Sequence, residues 1–219
     1  MTDSATLSAR AALAIETDIL AGRLAPASRL GITETAARYG VGATPLREAL
    51  SRLVARGLVR AEGHRGFRVT AISRADLADI VLTRQAIERE ALRLSMLKGD
   101  DAWEAGILAA LHRLKRGVAA DPRGFREGDA AFDALHKSFH SALIAACGSP
   151  RLLAAQSQLY DEAYRYRRLM MASFHSPEEF LSSHERLADL IVARDGAATK
   201  ELERHIASTL ALVYPERAP

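Results

Sequence analysis

With 219 residues, 48% of them hydrophobic and 5% aromatic, the chain is long enough for two small domains or one large one with a packed core. A single cysteine, Cys147, excludes an internal disulfide and fits a reducing compartment. With no signal-like N-terminus and no apolar run of about 18 residues, the expectation is a soluble, cytoplasmic protein without a membrane partner. The net charge is only +3, yet residues 1–72 hold ten Arg against six Asp and Glu. The remainder holds twenty Lys and Arg against twenty-one acids, so the positive excess lies in the first third, where contact with nucleic acid needs it.

Residues 7–21 read as an amphipathic helix with Leu13, Ala14, Ile19 and Leu20 on its apolar positions, ended by Gly22. A short second helix runs from about Thr33 to Tyr39 and is closed by Gly40. In the third, Thr44 is the expected N-cap and Pro45 the first helical residue. Leu46, Ala49, Leu50, Leu53 and Val54 form its apolar stripe, and Gly57 supplies the stop. Two helices around a Gly-centred turn make a helix-turn-helix. Leu58-Val59-Arg60 and Phe67-Arg68-Val69 then read as two short strands joined by Gly63-His64-Arg65-Gly66, a wing with a basic tip. The N-terminus of the third helix offers backbone N–H groups to phosphates. Arg47 in its first turn reaches a base edge or a phosphate, and Arg65 enters the adjacent minor groove. Arg52, Arg56 and Arg60 fit solvated surface charge as well as DNA contact.

From Ser73 onwards the pattern is helical. Ser73-Arg74-Ala75-Asp76 forms a capping box before a helix to about Leu97, with Gly99 as its stop. Further helices are expected at about 101–119, 129–146, 150–173, 178–194 and 197–213. Six such helices predict an antiparallel bundle. The expected fold is therefore mostly α: a winged helix-turn-helix over residues 1–72 and an all-α antiparallel helical bundle over residues 73–219.

Six of the seven histidines lie in the second part. His136 and His140 are four residues apart and face the same way, while His184 and His205 lie on the last two helices. Gathered together, four imidazoles suit a divalent transition metal such as zinc, nickel, copper or iron. Isolated histidines are also ordinary core or surface residues, so a purely structural role stands beside the metal reading. Arg84 shares an apolar stripe with Ile80, Ile87 and Leu94, and a charge there needs a partner. That partner is either Glu88, one turn along, or an effector carboxylate in the pocket. The cluster Tyr160, Tyr164, Arg165, Tyr166, Arg167 and Arg168 reads as a mixed helix face, with one Tyr or Arg lining the pocket as the alternative. Cys147 is expected as a small buried residue, and Trp103 as core or interface. A helical metallohydrolase or oxygenase using the histidines is a remote alternative, but Lys137 stands where a zinc-protease motif carries its general-base Glu, and no Glu-x-x-His occurs, so a non-enzymatic protein is expected.

Thr44-Pro45-Leu46-Arg47-Glu48-Ala49-Leu50, with Arg52-Leu53 and Gly57-Leu58-Val59 downstream, resembles the DNA-binding domain of GntR-type regulators over about residues 10–70. The resemblance implies a homodimer on a palindromic double-stranded operator. It implies DNA contacts from Thr33, Thr44, Pro45 and Arg47, and from the wing residues His64, Arg65 and Gly66. Thr33 and Ala43 stand where this family commonly carries arginines, and Gly42 where Ser is frequent. Two reading cations are thus missing, which implies an altered operator or a lower affinity; a good bidentate base contact contributes about 1–3 kcal/mol.

Phe139-His140, Gly148-Ser149-Pro150-Arg151-Leu152-Leu153, His184-Glu185, Asp195-Gly196 and His205-Ile206 resemble the FCD domain of the FadR-type branch, across residues 74–213. Arg84 and Glu88 match that domain's first-helix pair. The resemblance implies a divalent metal on His136, His140, His184 and His205, with His136 in the position that is usually acidic. An all-nitrogen set favours late transition metals, zinc or nickel first. It also implies an organic acid, sugar acid or amino acid as effector, with Arg84 pairing to its carboxylate, in a ligand-responsive transcriptional regulator.

Overall fold

The computed structural model describes residues 2–63, 66–120, 129–170 and 177–214. Packing divides the chain into two compact units, residues 1–73 and 74–219.

The first unit holds α1 (Thr2–Leu20), β1 (Arg29–Leu30), α2 (Ile32–Tyr39), α3 (Ala43–Ala55), β2 (Val59–Ala61) and β3 (Phe67–Val69). Ile15, Ile19, Leu30, Leu46, Leu50, Leu53, Leu58, Val59 and Val69 form its core. On α1 the buried face carries Ala11, Ile15 and Ile19, whereas Leu13, expected on the apolar positions, is 65% exposed. α2 and α3 end alike. Gly40 and Gly57 adopt left-handed φ values of 63° and 70°. The next amides, of Val41 and Leu58, then return to Ala36 O and Leu53 O at 3.1 and 3.0 Å. This closure satisfies the last carbonyls and turns the chain without the clash a Cβ would bring.

The start of α3 differs from expectation. Gly42 is the N-cap, with an extended backbone and no side-chain cap bond. Thr44 is therefore the second helical residue and Pro45 the third. The helix accepts the proline there because first-turn amides have no intrahelical partner to lose. The sheet also gains a strand: the order is β1-β3-β2, all antiparallel. Two residues carry no period, so β1 was invisible to pattern reading.

The second unit comprises α4 (Arg74–Lys98), α5 (Asp101–Ala119), α6 (Ala130–Leu143), α7 (Pro150–Met170), α8 (Pro177–Val192) and α9 (Ala198–Val213). α4 packs against α7 and α9, α5 against α6 and α8, and α8 against α9. Asp100 caps α5 through the Trp103 amide. Asp129 caps α6 through Ala131 and Phe132, which sets the phase of that helix. α6 stops at Leu143, short of the expected 146, and a 3-10 turn over Ala145–Cys147 leads to Gly148. Cys147 is buried and unpaired as a disulfide, and Trp103 is a core residue whose indole N–H donates to Ala142 O at 2.9 Å. The expected helix over 150–173 is seen to 170, and 171–173 lie outside the described residues.

Tyr160, Tyr164, Arg165, Tyr166 and Arg167, read as a mixed helix face, are all buried, and Arg168 of that group is exposed. Asp76 receives Tyr166 OH and Arg165 from α7, and Arg167 and Tyr160 both donate to Asp133 of α6. Buried guanidinium groups are tolerated because each has a carboxylate.

Candidate functional site

α6 projects His136 and His140 inward one turn apart. α8 adds His184 and α9 adds His205. One donor atom from each of the four rings lies within 4.8 Å of the others. His136 Nε2 is 3.0 Å from His140 Nε2 and 2.9 Å from His184 Nε2. The His205 ring lies 4.6 Å from that of His184 and 5.1 Å from that of His140, centroid to centroid. His136, His140 and His184 are buried, and His205 is half-buried.

Protonation follows from this enclosure. Burial pushes His184 down to about 4, against the pull of the Phe180 carbonyl. It pushes His136, His140 and His205 well below the ordinary 6.5, with neighbouring imidazoles and Arg167 adding to the effect. The rings are therefore neutral, the form that ligates metal. His184 Nδ1 lies 2.6 Å from Phe180 O, so it carries the proton and leaves the Nε2 lone pair facing inward. His136 Nε2 holds at most one proton, yet faces two ring nitrogens at hydrogen-bond distance. A cation at that point satisfies more lone pairs than any arrangement of protons can. The donor set fits a late transition metal held by His136, His140, His184 and His205.

Around the rings stand two buried ion pairs. Arg84 Nε donates to Glu88 Oε1 at 2.7 Å, with both side chains at most 3% exposed. Arg167 Nη2 donates to Asp133 Oδ1 at 2.9 Å, and Tyr160 OH donates to the same oxygen at 3.2 Å. Both guanidinium groups lie over the Tyr160 ring, 5.3 Å and 4.6 Å from its centroid. Burial raises the Asp133 carboxyl above its usual range, against the lowering effect of Arg167. Arg84 thus has Glu88 as its carboxylate partner here. Its charge also lowers the pKa values of His140 and His205, which puts it beside the rings.

A cavity of about 170 Å³ opens beside the cluster, lined by His136, His184, His205, Arg167, Phe180 and Leu212 among others. The sequence offered one Tyr or Arg of the 160–168 cluster as a pocket residue without distinguishing Arg167 from the others. The signal was its position seven residues after Tyr160, on the same helical face.

In the first unit, Thr33, Thr44 and Arg47 are exposed and Pro45 is half-buried. The amides of Ala43 and Thr44 sit in the first turn of α3, where the helix itself supplies no acceptor. Glu62 N donates to Gly66 O at 2.8 Å, and Gly66 takes a φ of 93°, closing the wing. His64 and Arg65 lie outside the described residues. Arg56 pairs with Glu16, while Arg23 and Arg38 pair with Asp18. Arg52 and Arg60 are exposed.

Residues 7–69 match the model of the bacterial regulatory proteins of the gntR family, and residues 79–208 match the FCD domain. The chain is 40% identical to an HTH-type transcriptional regulator, BphR, of Paraburkholderia xenovorans, over 91% of this chain and 82% of the relative. It is 35% identical to the HTH-type transcriptional repressor GlaR of Escherichia coli, over 93% of this chain and 94% of the relative.

The chain belongs to the GntR family.

This GntR-family protein is a DNA-binding transcriptional regulator with an FCD effector-binding domain, not an enzyme. Among solved structures, a GntR transcriptional regulator from Rhodococcus sp. RHA1 superposes with a TM-score of 0.72 at 22% identity, over 96% of this chain and 99% of that one, which shows the shared fold. GntR regulators bind operator DNA and, through the FCD domain, a small-molecule effector. No helix among the described residues is long and apolar enough to cross a membrane.

Proposed function

We propose that this regulator is a cytoplasmic homodimeric repressor whose DNA affinity is set by a carboxylate effector bound at a divalent metal. The observation that carries the reading is the convergence of the four imidazoles, with His184 oriented by a backbone carbonyl. Zinc or nickel suits the donors. A bound cation of this kind would supply a Lewis-acid anchor for a carboxylate oxygen.

Charge balance points to the effector. Arg84 and Glu88 cancel, as do Arg167 and Asp133. A divalent cation on neutral imidazoles adds two positive charges beside a cavity whose lining includes one carboxylate, Glu179, and an organic acid, sugar acid or amino acid supplies further negative charge. Arg84 and Arg167 are the groups placed to favour it. Thr33, Thr44, Pro45 and Arg47 face the operator, with His64, Arg65 and Gly66 at the wing. In the dimer the two recognition helices would stand about 34–36 Å apart, one DNA turn. The effector acts only through its differential affinity for the DNA-competent arrangement. Repression follows the named activity of the E. coli relative.

One observation favours a second reading. Both arginines already have carboxylate partners, as expected if the histidines and any metal only staple the bundle. Operator fragments selected from random DNA, titrated with metal-loaded protein and a panel of organic acids, separate the two readings. A change in operator affinity with an acid supports sensing. Thermal stabilisation by metal alone, with no acid altering either stability or operator affinity, supports the staple.

A further inference from the structure

The histidine cavity does not end at the rings. A second groove of about 550 Å³ runs between α8 and α9 and shares Ser183, His205 and Ser208 with the inner cavity. Its outer wall carries Arg186 and Arg204, whose side chains are 62% and 61% exposed. Both direct an Nη2 at the same oxygen, Oε2 of Glu201; Arg186 stands 3.6 Å away and Arg204 is in direct contact. The Glu201 side chain is only 9% exposed. Lys200 lines the adjoining groove with these two arginines, and Glu203 beside it is engaged by Arg89. The mouth therefore carries an excess of positive charge that draws anions toward the rings.

Two guanidinium groups on one carboxylate oxygen form a carboxylate site that the chain itself fills. Glu201 lies one helical turn before His205, and the outer groove shares that histidine, Ser183 and Ser208 with the inner cavity. Arg186 and Arg204 are solvent-exposed at this point, and exposed ion pairs are weak. Both arginines can therefore reorient toward an incoming carboxylate, whose contacts must offset those that the nearly buried Glu201 gives up.

We propose that Arg186 and Arg204 form an outer carboxylate subsite of the effector pocket, with Glu201 as its resident occupant, and that the effector is an acid bearing at least two carboxylates. One carboxylate is held at the histidine centre. The other displaces Glu201 at the mouth. The proposal rests on the metal-and-carboxylate reading above and names the ligand class for the same site.

The test is calorimetric titration of metal-loaded full-length protein with acetate, succinate and citrate as probes carrying one, two and three carboxylates. The expected order places succinate or citrate above acetate. R186Q/R204Q should weaken the two- and three-carboxylate probes about tenfold, the scale of a lost charge-assisted hydrogen bond. It should leave acetate affinity and metal content unchanged. E201Q, which removes the competing charge, should strengthen binding of the same two probes. Unchanged succinate and citrate affinity in R186Q/R204Q, or no preference over acetate in the wild type, overturns the subsite while leaving carboxylate binding at the metal in place. Failure of the wild type to bind any of the three removes the metal-and-carboxylate reading itself, and the subsite with it.

Discussion

Arg167 and Asp133 show what burial does to a single pair. Both are nearly excluded from water, and each is tolerated because of the other. R167Q strands the Asp133 carboxylate, so it should cost about 3–5 kcal/mol in denaturant unfolding; a loss below about 1 kcal/mol would show the pair to be far weaker than its burial implies. The histidines make a prediction about pH. Their folded-state pKa values are depressed, so the unfolded chain takes up protons first as pH falls. The stability of the metal-free protein should be full above about 6.5 and should fall as pH drops toward about 4, where His184 begins to protonate in the folded state. Urea midpoints of metal-free protein across that range check it; a flat profile contradicts the enclosure of the rings. The spacing of His136 and His140 was legible because four residues is one helical turn. The convergence of His184 and His205 was not, because no local rule specifies how α8 and α9 pack. The burial of the Tyr–Arg run on α7 was not legible because the carboxylates that make it possible, Asp76 and Asp133, lie far away in sequence.

Among the elements, helix ends were the clearest local signals. Gly40 and Gly57 sit where the left-handed turn needs them, and G40A meets no neighbouring atom, so its cost is backbone strain alone. About 1–2 kcal/mol is expected, read as a lower calorimetric midpoint. Pattern reading erred where a residue served a tertiary purpose. α8 ends at Val192, short of the expected 194, and Arg194 takes the left-handed position after it, with a φ of 52°. Its guanidinium contacts Met96 O, donates to Gly99 O and Glu104 at 2.8 Å, and lies over the Trp103 ring. Those contacts offset the strained backbone. At the start of α3, Thr44-Pro45 matches a cap-then-proline pattern, but the helix begins two residues earlier because Gly42 supplies the extended turn. Thr44 is left exposed rather than spent on a cap. Arg47 is exposed too, so R47A should leave stability unchanged and weaken operator binding by about 1–3 kcal/mol if it reads a base. If it meets only a phosphate, the salt dependence of binding should fall by about one unit instead.

For the molecule as a whole, the uneven charge between the two parts was the earliest sign of a DNA-binding portion joined to a sensor, and the mostly helical fold with one small wing sheet followed from periodicity. What sequence alone left open was whether four dispersed imidazoles serve one centre, because that depends on the packing of three helices. Metal analysis of purified protein by mass spectrometry, comparing wild type with the H140A/H184A double variant, tests this centre most directly. The account predicts a stoichiometric late transition metal in the wild type and its loss from a variant that remains helical by circular dichroism. Full metal retention by that folded variant would contradict it.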